Sequence, residues 1–179
     1  MTGSIKPFSE YAPPALYALY RDVYSSSDAM SESLDEKYPS LDAFEADIAA
    51  LQRLPGAVAL AAGINGKPTA YVTIRPRKPA RLQHTADLNM GVASEARGKG
   101  LGRLALEAAL AQAAASPAPE ILYLMVRADN SAAIRLYETC GFETLAVLNR
   151  DIRIANRYFD GLLMRAFVRR SADAQASAV

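Results

Sequence analysis

The densest chemical signal in this sequence is Arg97-Gly98-Lys99-Gly100-Leu101-Gly102, followed at once by Arg103. Glycines at alternate positions let the backbone take φ > 0 and let a ligand approach with no Cβ atoms in the way. An apolar, strand-like run ends at Val92 just before this loop, and an Ala/Leu-rich helix begins just after it. A loop that runs into a helix N-terminus aims unpaired N–H groups and the positive dipole end at one spot. Such a spot suits a phosphate or pyrophosphate, and Arg97, Lys99 and Arg103 add positive charge around it. Two common phosphate loops fail on spacing. A Walker A loop needs Ser or Thr where Gly100 stands and a glycine where Ala93 stands. A dinucleotide fingerprint, G-x-G-x-x-G, needs its third glycine where Arg103 stands, one residue beyond Gly102.

The spacing that fits is R-x-x-G-x-G. It resembles the acetyl-CoA-binding motif, Q/R-x-x-G-x-G/A, of the GNAT superfamily of N-acetyltransferases. A second stretch, Asn130 to Phe142 (N-S-A-A-I-R-L-Y-E-T-C-G-F), is similar to the family pattern N-x-x-A-x-x-L-Y-x-x-x-G-F at every fixed position. The likeness covers roughly Leu82 to Val147, and more loosely Arg157 to Met164. It implies a mixed, mostly antiparallel central sheet with helices on both faces. The central strands would splay beside the glycine loop to admit the pantetheine arm of CoA. The donor would be acetyl-CoA, held by the residues from Arg97 to Arg103, by Asn130, and by backbone N–H groups near Met90 and Val92, where the family's strand is bulged.

Acetyl transfer from a thioester to an amine makes four demands. The carbonyl must be polarised, the amine must be neutral, the two must meet in line, and the departing thiolate needs a proton. Grip on the phosphates, remote from the reaction, positions the acetyl group. N–H groups near Met90 and Val92 would polarise its oxygen. The resemblance makes Tyr137 the proton donor to the CoA sulfur, and a phenol of pKa about 10 can hydrogen-bond or donate to a thiolate. On residue type alone, Tyr137 is an aromatic packed on a helix face. For the base, His84-Thr85-Ala86-Asp87 resembles the H-T-x-E of phosphinothricin-type acetyltransferases, with Asp87 shorter in reach than Glu. Asp87 and Asn89 share the polar face of the strand that leads into the loop. The alternatives for Asp87 and His84 are a solvated strand residue and a structural imidazole. Asn130 can cap a helix and contact CoA together.

Composition agrees with an ordinary globular protein. The chain has 179 residues, 51% of them apolar, and a net charge of +1. Near-neutral charge gives no support to a nucleic-acid surface. A single Cys, Cys140, points to a reducing compartment. The N-terminus carries no signal-peptide core and no apolar run is long enough to span a membrane, so the cytoplasm is expected. One His and one Cys supply no usual metal set, so no metal is implied. The expected acceptor is a small-molecule primary amine, with a protein N-terminus or lysine as alternative. A non-catalytic acyl-CoA-binding sensor is the competing class. A homodimer pairing through late strands is the expected assembly.

The elements that must position these residues follow from periodicity. A short strand at Ile5 to Phe8 precedes a helix of about Ala15 to Tyr24, opened by Pro13-Pro14. Ser25 to Pro39 is a polar loop or short helix. Ser40 caps a helix with Leu41, Phe44, Ile48 and Leu51 on one face. Ala57 to Gly63 and Thr69 to Arg75 form a hairpin around Asn65-Gly66. A strand at Leu82 to Val92 leads into the loop, and the helix after it runs from about Leu101 to Ala115. Ile121 to Val126, nearly all apolar, is expected to be buried on both faces. A helix from Ala132 to Cys140 and strands at Phe142 to Arg150 and Tyr158 to Val168 complete one domain over residues 1–168. This order implies two β-α-β units. The small, polar tail 169–179 is expected to be disordered.

Overall fold

A computed structural model describes residues 3–168; the tail expectation therefore lies outside the described residues. Seven strands form one sheet in the order β1-β2-β3-β4-β5-β7-β6. They are β1 (Ser4–Pro7), β2 (Val58–Ile64), β3 (Lys67–Pro76), β4 (Thr85–Val92), β5 (Ile121–Arg127), β6 (Glu143–Ile154) and β7 (Arg157–Phe167). The helices are α1 (Pro13–Ser25), α2 (Leu34–Lys37), α3 (Leu41–Gln52), α4 (Leu101–Ala114) and α5 (Ser131–Thr139). Every neighbouring pair is antiparallel except β4 and β5. Of the two expected β-α-β units only β4-α4-β5 closes between adjacent strands, because β7 inserts between β5 and β6. Among the described residues, no helix is long and apolar enough to cross a membrane.

Local chemistry explains most boundaries. Pro13 occupies the first turn of α1, where its missing N–H costs nothing. Ser40 Oγ accepts from Ala43 N at 3.1 Å and starts α3. Within the polar stretch before it, Ser33 and Glu36 make a capping box that nucleates the single turn of α2. Asn65 and Gly66 both take positive φ, 51° and 79°, as a tight hairpin whose turn follows the strand twist requires. β4 starts three residues later than its alternation suggests. Ala80–Leu82 forms a 3₁₀ turn after Pro79 instead, and Thr85 Oγ1 closes it by donating to Leu82 O at 2.8 Å.

The core lies on both faces of the sheet. On one face α1 and α3 cover β2 and β3 through an aromatic cluster in which Tyr20 stacks on Tyr71 at 3.9 Å between centroids. On the other, α4 seats Ala105, Leu106 and Ala109 against β2 and β3. β5 corrects the sequence expectation. Leu122, Leu124 and Val126 are buried, but Met125 on the opposite face is 48% exposed. A continuous apolar run is thus no proof of two covered faces: Tyr123 is half-buried, with the Arg77 guanidinium 4.8 Å from its ring.

Candidate active site

β4 and β5 are paired only at Thr85↔Ile121, Ala86↔Leu122 and Asp87↔Tyr123. Beyond Asp87 they part, while β4 stays in unbroken register with β3 as far as Ala70↔Val92. The bulge implied at Met90 to Val92 is therefore not present as a register shift. The ladder decides which backbone groups face the gap. Ala93 N donates to Thr69 O at 2.8 Å and Arg77 N to Thr85 O at 3.0 Å, so odd-numbered residues of β4 are spent on β3. Leu88, Met90 and Val92 consequently turn their N–H groups toward the side that β5 has left. Side chains alternate as well. Met90 and Val92 point at α4, and Asn89 and Gly91 point at α1.

A cleft of about 520 Å³ opens at this parting. Its one wall is the glycine loop. Gly98 and Gly100 have φ of 72° and 78°, and a Cβ on either would meet nothing within 4 Å, so each leaves open space above a backbone that only glycine adopts without strain. Gly102 serves differently: a Cβ there would lie 2.9 Å from Val92 Cγ2, and its lack lets α4 close on β4. Gly100 caps α4 with no side-chain acceptor, which leaves the first N–H groups of the helix, at Leu101, Gly102 and Arg103, aimed outward.

The basic residues divide by role. Arg97 is consumed as a tie: Nε donates to Val92 O at 3.3 Å, Nη1 to Ser26 O at 3.2 Å and Nη2 to Ser26 Oγ at 2.6 Å. Arg103 pairs with Glu107 at 2.7 Å. Lys99 makes no ion pair among the described residues, which leaves its ammonium for a phosphate. Asp22 of α1 reinforces the loop by accepting from Ser94 N and Oγ at 2.7 and 3.0 Å.

Asn130 and Tyr137 form the opposite wall. Asn130 Oδ1 accepts from Ala133 N at 3.2 Å, so the residue caps α5 and lines the cleft at once. Tyr137 is 7% exposed, with its ring 5.7 Å from Phe142 and its surface on the cleft. Burial raises its phenol well above the ordinary 10, which keeps the proton in place across the physiological range. Asp87 does not reach the cleft. Its carboxylate is gripped by Arg77, whose Nη2 lies 2.6 Å from Oδ1 and whose Nε lies 3.1 Å from Oδ2. This ion pair also raises the Arg77 pKa. His84 is exposed, and its carbonyl accepts from Glu120 N and Ile121 N at 2.7 and 3.1 Å to start the β4–β5 pairing. Alternation puts Asp87 on the face of Asn89, but two residues too early to enter the gap.

Sequence reasoning missed the far end of the cleft. Ser27, Ala29, Met30 and Ser31 come from the segment after α1, Met125 and Arg127 from β5, and Ile152 from β6. Arg127 is 8% exposed and holds this end together. Its Nε donates to Asp129 Oδ1 at 2.6 Å and its Nη1 to Asp28 O at 2.9 Å, while its guanidinium lies 4.2 Å over the Phe159 ring. A charge ending an apolar strand and followed by Asp129 was the available signal.

The family model for the GNAT acetyltransferases matches residues 14–142. A GNAT-family acetyltransferase from Streptococcus pneumoniae is 26% identical, with a TM-score of 0.87 over 94% of this chain and 100% of its own. A ribosomal-protein-alanine N-acetyltransferase from Brucella melitensis is 28% identical, with a TM-score of 0.81 over 92% and 99% of the two chains. A putative acetyltransferase from Salmonella typhimurium, solved with its cofactor acetyl-CoA, shares the fold at 22% identity and a TM-score of 0.84, over 95% and 96%. No curated protein matches the sequence. Taken with the parted strands and the glycine loop at the head of α4, the family match over residues 14–142 means that the chain belongs to the GNAT family of acetyltransferases.

Proposed function

We propose that this protein is an acetyl-CoA-dependent N-acetyltransferase that moves the acetyl group directly to a small-molecule primary amine within a ternary complex. The observation that carries the reading is the single cleft that joins the open N-terminus of α4, the free N–H groups of β4 and the Tyr137 ring. Acetyl-CoA supplies the activated acyl carbon and the thiol leaving group. The N–H groups of Leu101, Gly102 and Arg103, with Gly98, Gly100 and the Lys99 ammonium, fit its pyrophosphate. The N–H groups of Met90 and Val92 hold the pantetheine and polarise the carbonyl. Asn130 contacts the same arm from α5. Tyr137 gives its proton toward the sulfur. With Asp87 held by Arg77, the amine proton leaves to water rather than to that carboxylate.

A polypeptide amine is the second reading, favoured by the name of the Brucella melitensis neighbour. The sensor reading gives way to the enzyme because Tyr137 lines the cleft with no side-chain hydrogen bond among the described residues to hold it there. Calorimetric titration with CoA, alongside thiol release from acetyl-CoA over a panel of amines and short peptides, tests all of this. Amine-dependent release establishes the enzyme and its acceptor class. Binding with no release turns the balance to the sensor, and no binding removes the assignment of Arg97 to Arg103.

A further inference from the structure

The chain between α1 and α2 runs along the cleft as a strap, and Ser27, Ala29, Met30 and Ser31 line it. Among the described residues, the backbone groups of Ser27 to Glu32 make no hydrogen bond to another backbone group. Such a segment has little of its own to fix its shape. Two guanidinium groups fix it instead, one from each side of the parting between β4 and β5. Arg97, just past the end of β4, donates to Ser26 O and Oγ and also to Val92 O. Arg127, the last residue of β5, donates from Nη1 to Asp28 O at 2.9 Å and from Nη2 to Asp28 Oδ1 at 3.2 Å.

The two clips are unequal. Arg97 is exposed and belongs to the donor loop, whereas Arg127 is buried and locked on its other sides. Its Nε donates to Asp129 Oδ1 at 2.6 Å and its Nη2 to Asp129 Oδ2 at 3.1 Å, and Phe159 of β7 lies under the guanidinium. Its own carbonyl accepts from Asn130 N at 2.9 Å as the chain turns into α5. A planar fork can hold a carboxylate along one edge and a carbonyl beside it, which a single ammonium cannot. The Asp28 and Asp129 side chains are 69% and 53% exposed, so their ion pairs with Arg127 add little to stability. What the guanidinium supplies is geometry: it ties the main chain of the strap to the end of β5.

We propose that Arg127 is a positioning residue for the acceptor: by holding Asp28 O it sets how the segment 27–31 stands to Met125 and Ile152, the other lining of the end where the amine enters. The proposal rests on the transfer reading above. Arg127 ends the same strand that carries Met125, so the strap is indexed to the strand whose departure from β4 opens the cleft. Its side-chain donors are spent on Asp28 and Asp129, and its effect on the amine passes through the strap rather than through a bond of its own. A wall of this kind holds the amine alike in the ground state and the transition state. Loosening it therefore weakens acceptor binding and spares the chemical step.

The test compares the full chain with its Arg127→Lys and Arg127→Met variants. Thiol release from acetyl-CoA is followed with L-alaninamide and an Ala-initiated tetrapeptide as acceptors. Calorimetric titration with acetyl-CoA and thermolysin cleavage ahead of Met30 are measured in parallel. Lys keeps a positive charge beside Asp129 but loses the reach to Asp28 O, so it separates charge from geometry. Both variants should raise the acceptor KM about tenfold while kcat and acetyl-CoA affinity stay within a factor of about two. Cleavage of the strap should be roughly tenfold faster in both. The unfolding midpoint should fall by roughly 2–4 °C in Arg127→Met and stay near its original value in Arg127→Lys. A Lys variant with the original KM and cleavage rate would make charge sufficient and overturn the proposal. Slower turnover or weaker acetyl-CoA binding with acceptor KM and cleavage unchanged would assign Arg127 to the Asn130 side of the cleft and overturn it as well. No release from acetyl-CoA with either acceptor, or with any amine of the wider panel, sinks the transfer reading, and cleavage then decides the clip alone: equal rates in all three proteins overturn it, faster rates in both variants uphold the hold on the strap.

Discussion

The two ends of the cleft are built on different principles. At the donor end, the loop from Arg97 to Arg103 and the caps of α4 and α5 are made from residues adjacent in sequence, and the N-terminus of α4 is left with no side-chain cap. At the end where the proposed acceptor would enter, Met30, Asn89, Met125, Arg127 and Ile152 come from four separated stretches and line the cleft. A ligand shared by many enzymes can be held by main chain, which any sequence supplies once the glycines and the helix start are in place. An acceptor specific to one enzyme needs side chains, and these are brought together only by folding. The donor end is thus a local device and the acceptor end a tertiary one.

That contrast is sharpest at Tyr137, which sits between the two ends. Tyr137→Phe keeps the ring against Phe142 and removes the proton, so turnover should slow about 100-fold while the affinity for acetyl-CoA stays unchanged. Stopped-flow or steady-state kinetics with parallel calorimetry separates the two quantities, and weakened CoA binding without slower turnover would move Tyr137 to the donor device. Asn130→Ala tests how local that device is. Loss of the cap to Ala133 should cost about 1 kcal/mol, seen as a drop of roughly 2–4 °C in Tm, with weaker CoA binding in the same variant. The smallest effect belongs to Asp87→Asn. An exposed ion pair such as Asp87–Arg77 is worth about 0.2–1 kcal/mol, and kcat/KM should change by less than a factor of about two if the carboxylate takes no part in proton transfer. Turnover slowed by about 100-fold or more would make it the base after all.

The donor end was legible because its information is short-range. R-x-x-G-x-G and the Asn130 cap each act within a few residues of themselves, and each stands where the sequence placed it. Arg97 lines the cleft and also does work that the motif does not show. Its partners, Ser26 O and Oγ, lie 71 positions away in the sequence, so nothing in the hexapeptide reveals that its guanidinium fastens α1 to the end of β4. Asp87 shows the same limit. An H-T-x-D run and a polar strand face made it the expected base, but a two-residue period fixes only which face a side chain takes. How far along β4 the gap opens depends on where β5 stops pairing, and Arg77 reaches Asp87 through the turn between β3 and β4.

The chain by itself determined the loop, the helix starts, the hairpin at Asn65-Gly66 and the donor class they serve, because backbone conformation, capping and glycine placement are decided over one or two turns of chain. Only the tertiary structure decided that β4 and β5 part after Asp87, that Asn89 lines the opening, and that Arg127 joins Asp28 across 99 positions at the far end of the cleft. The cause is physical. Strand order and register are set by how two opposite faces of one sheet are covered, a property of the whole core that no local window of sequence contains.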